Sequence, residues 1–365
     1  MLQLVFERPP DRRSEDRRAG LYDRGMIIAV VKKKIIYLMF FCLTILLTAC
    51  GKAEIRLGTG DTGGIYHAYS TQLSELLTKD FEFRLRSTVG AEANLRLLQT
   101  GFLDAALVQS DMLYRAEKTR ETEGDSAEDQ RNYSAVAGLY TEVMQIVVRA
   151  DSDIKSPEDL EGKRVSLGAD ESGVRYNAYE VLGALGLGEN DLTPFYLSFS
   201  ESAEALKNGT IDAFFCMAGA PTKVIGELAE TTGIRVLSLK EDQVKYLMKM
   251  YPYYLECTIP GNTYSGQEKE ISTVGVRAVF VVSNGLDQKT VKSLTGEILD
   301  HSGTLNEGIV TDGSLSALDA SLEVMIPFHR GAAEYLKDHG VEVDADPSSE
   351  GGVVFGSQDS EGGAR

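Results

Sequence analysis

Three short segments place glycine and small polar residues where a β-rich run gives way to a helical pattern. They are Gly58–Tyr69 (GTGDTGGIYHAY), Ser87–Leu95 (STVGAEANL) and Leu167–Ala178 (LGADESGVRYNA). The first N–H groups of a helix have no partner within it and carry partial positive charge, so they can hold an anion. A single glycine-rich turn is common, but three at corresponding positions predict a site for a small carboxylate.

The remaining motifs exclude several kinds of chemistry. GTGDTGGIY lacks the GKS or GKT ending of a P-loop and misses the GxGxxG spacing of dinucleotide sites. The chain has no GxSxG elbow, no HExxH motif and no histidines at metal-ligand spacing. We therefore expect no enzyme, no cofactor and no metal. The net charge of −18 also argues against nucleic acid as a partner, because binding phosphates requires a basic face.

The elements that must position these turns follow an alternating pattern. Short β-rich runs alternate with helical runs after Cys50, which predicts an α/β fold. The order helix, glycine, acidic residue, strand occurs in ANLRLLQTGFLDAALVQSD and again in SAEALKNGTIDAFFCMAG, so the two halves look alike. If the β-rich runs ending near Arg149 and starting near Ser272 both cross between lobes, they leave a ligand cleft with a two-segment hinge.

This pattern gives the expected domain boundaries. Lobe 1 takes residues 53–145 and 275–340, and lobe 2 takes residues 146–274. Helices are expected from Asp287 to His301 and from Ser314 to Asp338. The Gly-, Ser- and acid-rich end, residues 344–365, is expected to be a disordered tail.

The N-terminal segment has the features of an export signal. Lys32–Lys34 precede the apolar run Ile35–Leu47, which ends in LTAC. This ending resembles the lipobox of a bacterial lipoprotein, in which Cys50 is lipidated and becomes the first mature residue; the alternative is an uncleaved membrane anchor. Residues 1–49 are then an extension plus signal peptide, with Met26 as a possible true start. The expected location is extracytoplasmic, with a lipid anchor in the cell membrane.

Two other cysteines, Cys216 and Cys257, remain in the mature chain. In an exported protein they could form a disulfide, but Cys216 lies in an apolar strand-like run, so buried free thiols fit equally well. The sequence leaves both alternatives open.

From Ile55 to Leu299 the chain resembles, in order, the TAXI family of solute-binding proteins of TRAP (tripartite ATP-independent periplasmic) transporters. The resemblance rests on GTGDTGGIY, on Ser87–Asp111 (STVGAEANLRLLQTGFLDAALVQSD), on Ile146–Val174, and on IDAFFCMAGAP and YPYYLECTIPGNTY. It implies a type II periplasmic-binding-protein-like fold that closes on a small organic anion, such as glutamate, glutamine, a dicarboxylate or a 2-oxo acid. It also implies delivery of this anion to a TRAP membrane permease by a protein that we expect to be a monomer.

The resemblance also implies which residues face the ligand. Family cleft positions match at Gly64, Tyr66, Thr88, Asn94, Gln109, Ser110, Ser172 and Gly173. The family's glycine, serine, glycine, threonine turn is replaced here by Glu171, Ser172, Gly173 and Val174. Glu171 would repel an anion if it faced inward.

Three further positions are candidates for residues that line the cleft. Val174 keeps its backbone N–H, although the threonine hydroxyl is lost. Arg175 could compensate for Glu171 or bind a second carboxylate, and a solvated helix residue is the alternative. Phe215 could line the cleft or pack in the core. His67 and Ala91 replace the proline and serine that relatives often carry.

Two other functions remain open at this stage. An exported sensor subunit would use the same ligand chemistry and differ only in its partner. A hydrolase or transferase on a similar two-lobed scaffold would need a nucleophile with a base, for which Ser172 beside Glu171 is a weak candidate.

Overall fold

In the computed structural model, residues 52–123, 131–307, 309 and 313–349 are described. The signal segment, Cys50 and the tail from residue 350 lie outside these ranges. The elements below belong to one unit, Ala53–Arg365. No helix within the described ranges is long and apolar enough to cross a membrane.

Ten strands occur in the described residues. In chain order they are β1 Ala53–Gly60, β2 Phe81–Ser87, β3 Ala105–Gln109, β4 Tyr133–Arg149, β5 Arg164–Ser166, β6 Thr193–Phe195, β7 Ala213–Ala218, β8 Ile234–Leu237, β9 Leu255–Ile259 and β10 Ile271–Ser283.

The helices between them are listed in the same way. They are α1 Ile65–Leu76, α2 Ala91–Gln99, α3 Ser110–Glu123, α4 Gly173–Ala184, α5 Phe199–Lys207, α6 Lys223–Thr232, α7 Glu241–Met250, α8 Gln288–Asp300, α9 Ser302–Leu305 and α10 Arg330–Asp338. Short 3₁₀ turns occur at Pro157–Leu160, Glu189–Asp191, Asp319–Ser321 and Pro347–Ser349.

The strands form one sheet that passes through both lobes. Its order is β2-β1-β3-β10-β4-β7-β5-β6, with β8 beside β4 and β9 beside β10. The outer groups β1–β3 and β5–β7 are each joined by parallel pairs, whereas β10 and β4 run antiparallel to their neighbours. The expected α/β fold with two lobes is confirmed.

Each lobe has its own hydrophobic core. One cluster of buried side chains joins β1, β3, α1, α2 and α8. The other lobe has two clusters, one on each face of its sheet, because α4 and α7 cover one face while α5 and α6 cover the other. Strand β4 is buried along nearly its whole length, as expected for a strand covered on both faces.

Strands β4 and β10 connect the two lobes. The first half of β10 pairs with β9, and its second half pairs with β3. Strand β4 pairs with β10 on both sides of the boundary between these two halves. A register shift between Arg277 and Val279 lies at the boundary itself. Such irregularities bend and twist a strand pair, so they suit a hinge.

The prediction of a helix from Ser314 to Asp338 was wrong for the first half of this range. Only Arg330–Asp338 is an α-helix, and the preceding stretch holds one 3₁₀ turn. Glu323 and Met325 adopt positive φ angles of 53° and 70°, which an α-helix does not allow. Pro327 then lacks an N–H and disfavours helical geometry at the residue before it.

The acidic tail was expected to be disordered from residue 344, but its first residues through Ser349 pack on the lobe. Asp346 is buried and forms an ion pair with Arg131, and it accepts a hydrogen bond from the Ser134 hydroxyl at 3.0 Å. Burial alone would raise the pKa of Asp346, but hydrogen bonds from Ser348 and Arg131 bring it below its ordinary value. Composition could not predict this single buried carboxylate.

We expect Asp346→Ala to lower the free energy of unfolding by about 2 kcal/mol, because Arg131 keeps only Glu117 of its two carboxylate partners and the Ser134 hydroxyl loses an acceptor. Denaturant unfolding measures the change. Asp344→Ala removes an exposed carboxylate of the same segment and should change stability by less than about 0.5 kcal/mol. Equal effects of the two substitutions would contradict the packing described.

Candidate ligand-binding site

A cavity lies where the ends of strands from both lobes meet the starts of helices. It encloses about 60 Å³, so that only a small molecule fits without movement of its walls. Its lining is Gly60, Asp61, Gly64, Ile65, Tyr66, Val89, Gly90, Ala91, Gln109, Glu142, Ala169, Ser172, Gly173, Val174, Leu197, Ser198, Phe199, Met217 and Ala218. All three turns singled out from the sequence contribute to it.

Three of the helices that begin at the cavity have open N-termini. The capping positions of α1, α2 and α4 are Gly64, Gly90 and Ser172, and no side chain caps these helices. The Ser172 hydroxyl instead donates to the Ala169 carbonyl at 2.7 Å. Apart from the Ala93 N–H, which donates to the Glu171 carbonyl, the first-turn N–H groups of these helices therefore remain available to an anion.

Helix α5 also begins at the cavity, but its end is closed by its own residues. The Glu201 N–H donates to the Ser198 hydroxyl at 3.3 Å, and the Glu201 carboxylate accepts from the Ser198 N–H at 2.9 Å. Because this capping box places a negative charge at the N-terminus, α5 offers little positive potential to a ligand.

Of the residues expected at the site, six line the cavity: Gly64, Tyr66, Gln109, Ser172, Gly173 and Val174. Gly173 has a steric role, because a Cβ atom there would lie 1.6 Å from Gln109 Oε1. A side chain at this position would occupy the space of Gln109, so the close approach of the two lobes requires glycine.

Thr88 and Asn94 lie behind the lining. The Thr88 hydroxyl accepts from the Gly60 N–H at 3.1 Å and donates to Asn94 Oδ1 at 2.7 Å. Asn94 is fully buried, and its amide donates to the Leu107 carbonyl at 2.9 Å. These two residues fix the turn after β1 and position the start of α1.

The structure places three other expected residues away from the cavity. The Ser110 hydroxyl accepts from the Arg277 N–H at 3.1 Å and so supports the strand boundary in β10. Arg175 pairs with Asp170 at 2.7 Å and lies over the Tyr196 ring. Phe215 is buried in a lobe core.

Glu171 does not line the cavity. Its carboxylate pairs with Arg96 at 2.7 Å, and its carbonyl accepts from the Ala93 N–H at 3.1 Å. Its φ angle is 59°, in the left-handed region that favours glycine. The positive φ angle explains why glycine suits this position. The pair with Arg96 explains how an acidic residue here avoids repelling an anion.

Glu142 was missed by the sequence analysis, although it lines the cavity. It lies on β4 and is only 2% exposed, and its Oε2 accepts from Gln109 Nε2 at 2.9 Å. Its Oε1 and the Tyr66 hydroxyl lie close together but have no hydrogen-bond partner of good geometry in the described residues. An acidic residue inside the apolar run TEVMQIVV was the signal that could have revealed it.

The buried carboxyls near the cavity have altered acidities. Burial raises the pKa of Glu142 to about 8, and contacts with Tyr66 and Gln109 oppose this effect. Burial likewise raises the pKa of Asp111 to about 6, against the hydrogen bond from Asn177. Near pH 7, Glu142 is therefore mostly neutral whereas Asp111 is mostly ionised.

Polar contacts flank the cavity and join the two lobes. The Ser200 hydroxyl on α5 donates to Asp61 Oδ1 at 3.0 Å, and the Tyr176 hydroxyl on α4 donates to Glu92 Oε1 at 3.1 Å. Together with the Arg96–Glu171 pair, they link the two lobes beside the cavity.

Cys216 and Cys257 are not joined in a disulfide. Within the described ranges, no group of three or more His, Cys, Asp or Glu side chains is placed to hold a metal ion.

Fold and site together define a two-lobed α/β protein with a small cavity between its lobes. Residues 57–340 match the model of the NMT1-like family, and the chain belongs to this family.

Several solved structures are similar to the chain. The periplasmic aliphatic sulphonate binding protein SsuA from Escherichia coli is 16% identical, with a TM-score of 0.40, and the match covers 81% of this chain and 82% of that one. PhnD1 from Prochlorococcus marinus, in complex with methylphosphonate, is 13% identical with a TM-score of 0.48, covering 72% and 93%. An ancestral arginine-binding protein bound to arginine is 15% identical with a TM-score of 0.44, covering 71% and 99%.

We expect Gly173→Ala to open the cleft, because the added methyl group displaces Gln109 across the lobe boundary. Small-angle X-ray scattering of the unliganded protein should show a larger radius of gyration. Gly183→Ala in the same helix is the matched control, since no atom lies within 4 Å of a Cβ there. A Gly173→Ala variant as compact as the control would contradict the role given to Gly173.

Proposed function

We propose that this protein is an extracytoplasmic, lipid-anchored receptor that binds a small organic anion and delivers it to a TRAP-type membrane permease. The expected ligands are glutamate, glutamine, dicarboxylates and 2-oxo acids. The single observation that carries the proposal is the convergence of three uncapped helix N-termini, from both lobes, on one cavity.

Closure of the lobes distinguishes the ligand-bound form of such a receptor from its free form. Ligand that bridges α1 and α2 in one lobe and α4 in the other favours the closed form, because it binds that form more tightly. The walls then exclude water, which strengthens each hydrogen bond to the anion. The lobe boundaries proposed for this motion are residues 53–145 with 275–340, and residues 146–274.

The geometry favours a receptor over a hydrolase or transferase. The Ser172 hydroxyl is engaged with the Ala169 carbonyl, and Glu171 is paired with Arg96, so the two do not form a nucleophile with its base. The proposal is therefore a protein without catalytic activity, working as a monomer without cofactor, metal or nucleic acid.

The membrane connections rest on the sequence. The LTAC ending of the apolar run supports a lipid on Cys50, and the resemblance from Ile55 to Leu299 supports a TRAP permease as partner. An exported sensor subunit would use the same cleft with a different membrane partner.

We expect a small carboxylate to raise the melting temperature of the mature protein, because a ligand that binds only the folded state stabilises it. A thermal-shift panel of amino acids, dicarboxylates and 2-oxo acids at pH 6.5 measures this. At ligand concentrations about 100-fold above Kd, the stabilisation should reach about 2.7 kcal/mol. No shift with any organic anion, together with turnover of an ester or amide, would favour the enzyme alternative.

Gln109→Ala and Tyr66→Phe should weaken binding without unfolding the protein, because each removes a polar group from the cavity wall. We expect about fivefold weaker binding for Tyr66→Phe and about tenfold for Gln109→Ala, as for losses of about 1 and 1.4 kcal/mol. Calorimetric titration measures the affinities. Arg175→Ala is the control, since Arg175 lies away from the cavity, and its affinity should equal that of the wild type. Unchanged affinity in both cavity variants would show that the site is misplaced.

A further inference from the structure

The side chain of Glu142 is buried in the cavity wall with one oxygen unused. Oε2 accepts from Gln109, whereas Oε1 has no hydrogen-bond partner of good geometry among the described residues, and the nearest polar group to consider is the Tyr66 hydroxyl. Leaving such a buried polar atom unpaired costs about 1–3 kcal/mol. An oxygen held in this way at a cavity points to a contact that the ligand completes.

The charges around the cavity limit what Glu142 can do. Of the described residues that line it, none is Lys, Arg or His, and the two with ionisable carboxyls are Asp61 and Glu142. Asp61 Oδ1 already accepts from the Gly63 N–H and the Ser200 hydroxyl. An ionised Glu142 would repel an anion in the closed cleft, because like charges in a desolvated site raise each other's energy.

We propose that Glu142 acts as a neutral carboxylic acid and donates a hydrogen bond from Oε1 to the carboxylate of the ligand. This inference rests on the proposed function as an anion receptor. Glu142 is then a specificity residue. The complex holds one proton that the ionised Glu142 and the anion would not hold when they are apart. The receptor therefore binds its anion together with a proton at alkaline pH.

The neighbours of Glu142 agree with a neutral carboxyl. Tyr66 from α1, Asp111 from α3 and Cys216 from β7 are the titratable groups that face it from other elements, and Tyr140 lies on its own strand. None of them is a cation that could hold it ionised, and the contact with Tyr66 only partly opposes the effect of burial. The Asp111 charge raises the pKa of Glu142 further, beyond the effect of burial.

The direction of the pH effect follows from linkage. A bound anion raises the pKa of Glu142 above its value of about 8 in the free protein. Below about pH 8 both states hold the proton, so affinity is constant. Above about pH 8 binding takes up a proton, and affinity falls by up to about tenfold for each pH unit until the higher pKa of the complex is reached.

Calorimetric titration with 2-oxoglutarate between about pH 6.5 and about pH 9.5 tests this, because the probe has no group that titrates in this range. Wild-type affinity should be constant at first and then fall at least fivefold above about pH 8. Glu142→Gln is neutral at every pH and keeps a donor, so it should bind within a few-fold of the wild type at pH 6.5 and lose the pH dependence.

Asp111→Asn is the control. It removes a buried carboxyl that does not line the cavity, so the weakening at alkaline pH should persist, with its onset at a lower pH because the Asp111 charge no longer raises the pKa of Glu142. Melting curves of each variant verify folding.

Several outcomes would overturn the inference. Wild-type affinity that does not change with pH, or loss of binding in folded Glu142→Gln at pH 6.5, would show that Glu142 does not act as a neutral donor. Binding of L-glutamate but not 2-oxoglutarate, tightening as the pH rises, would make Glu142 an ionised acceptor for an ammonium group. In these cases the receptor function stands. A wild-type protein that binds neither probe at any pH would overturn both proposals.

Discussion

The hydrogen-bonded pair β4–β10 is the constraint on which the two-lobed arrangement depends. Because this pair continues through both lobes, the lobes cannot separate, and their relative motion is confined to bending or twisting of two strands. The register shift after Arg277 lies where the neighbours of β10 change from β9 to β3. Motion concentrated there leaves each core intact, since the buried residues of the cores come from different segments of β4 and β10 and from different helices.

The same strand pair carries the buried carboxyl group that lines the cavity. Glu142 lies opposite Val276 in the ladder, one residue before the position that pairs with Gly275. A carboxyl on this crossing strand faces the open N-termini of helices from both lobes, while apolar atoms surround it. Low polarity strengthens every interaction between these groups and the ligand, and it makes an unmatched charge costly. Strand geometry and site electrostatics are therefore set by one element.

Local features made part of the site predictable. The glycine-rich turns mark helix starts because only certain backbone geometries allow a strand to turn directly into a helix, and these starts do line the cavity. Phe215 and Met217 lie on the same face of β7, but only Met217, nearer the strand's end, reaches the cavity. Sequence periodicity predicts which face of a strand a side chain occupies, but it does not predict how close to the cavity that residue lies along the strand. Long-range pairs such as Arg131 with Asp346 leave no local pattern at all.

Glu171 combines a strained backbone conformation with an ion pair between the lobes, and the two contributions can be compared. A non-glycine residue in the left-handed region costs about 1–2 kcal/mol, and Glu171 has a φ angle of 59°. Its pair with Arg96 is roughly half exposed on both sides, and such surface pairs contribute about 0–1 kcal/mol. The pair therefore does not offset the backbone strain by itself. If the lobes close on a ligand as proposed, contacts made inside the cleft, rather than this ion pair, would supply the remaining free energy of closure.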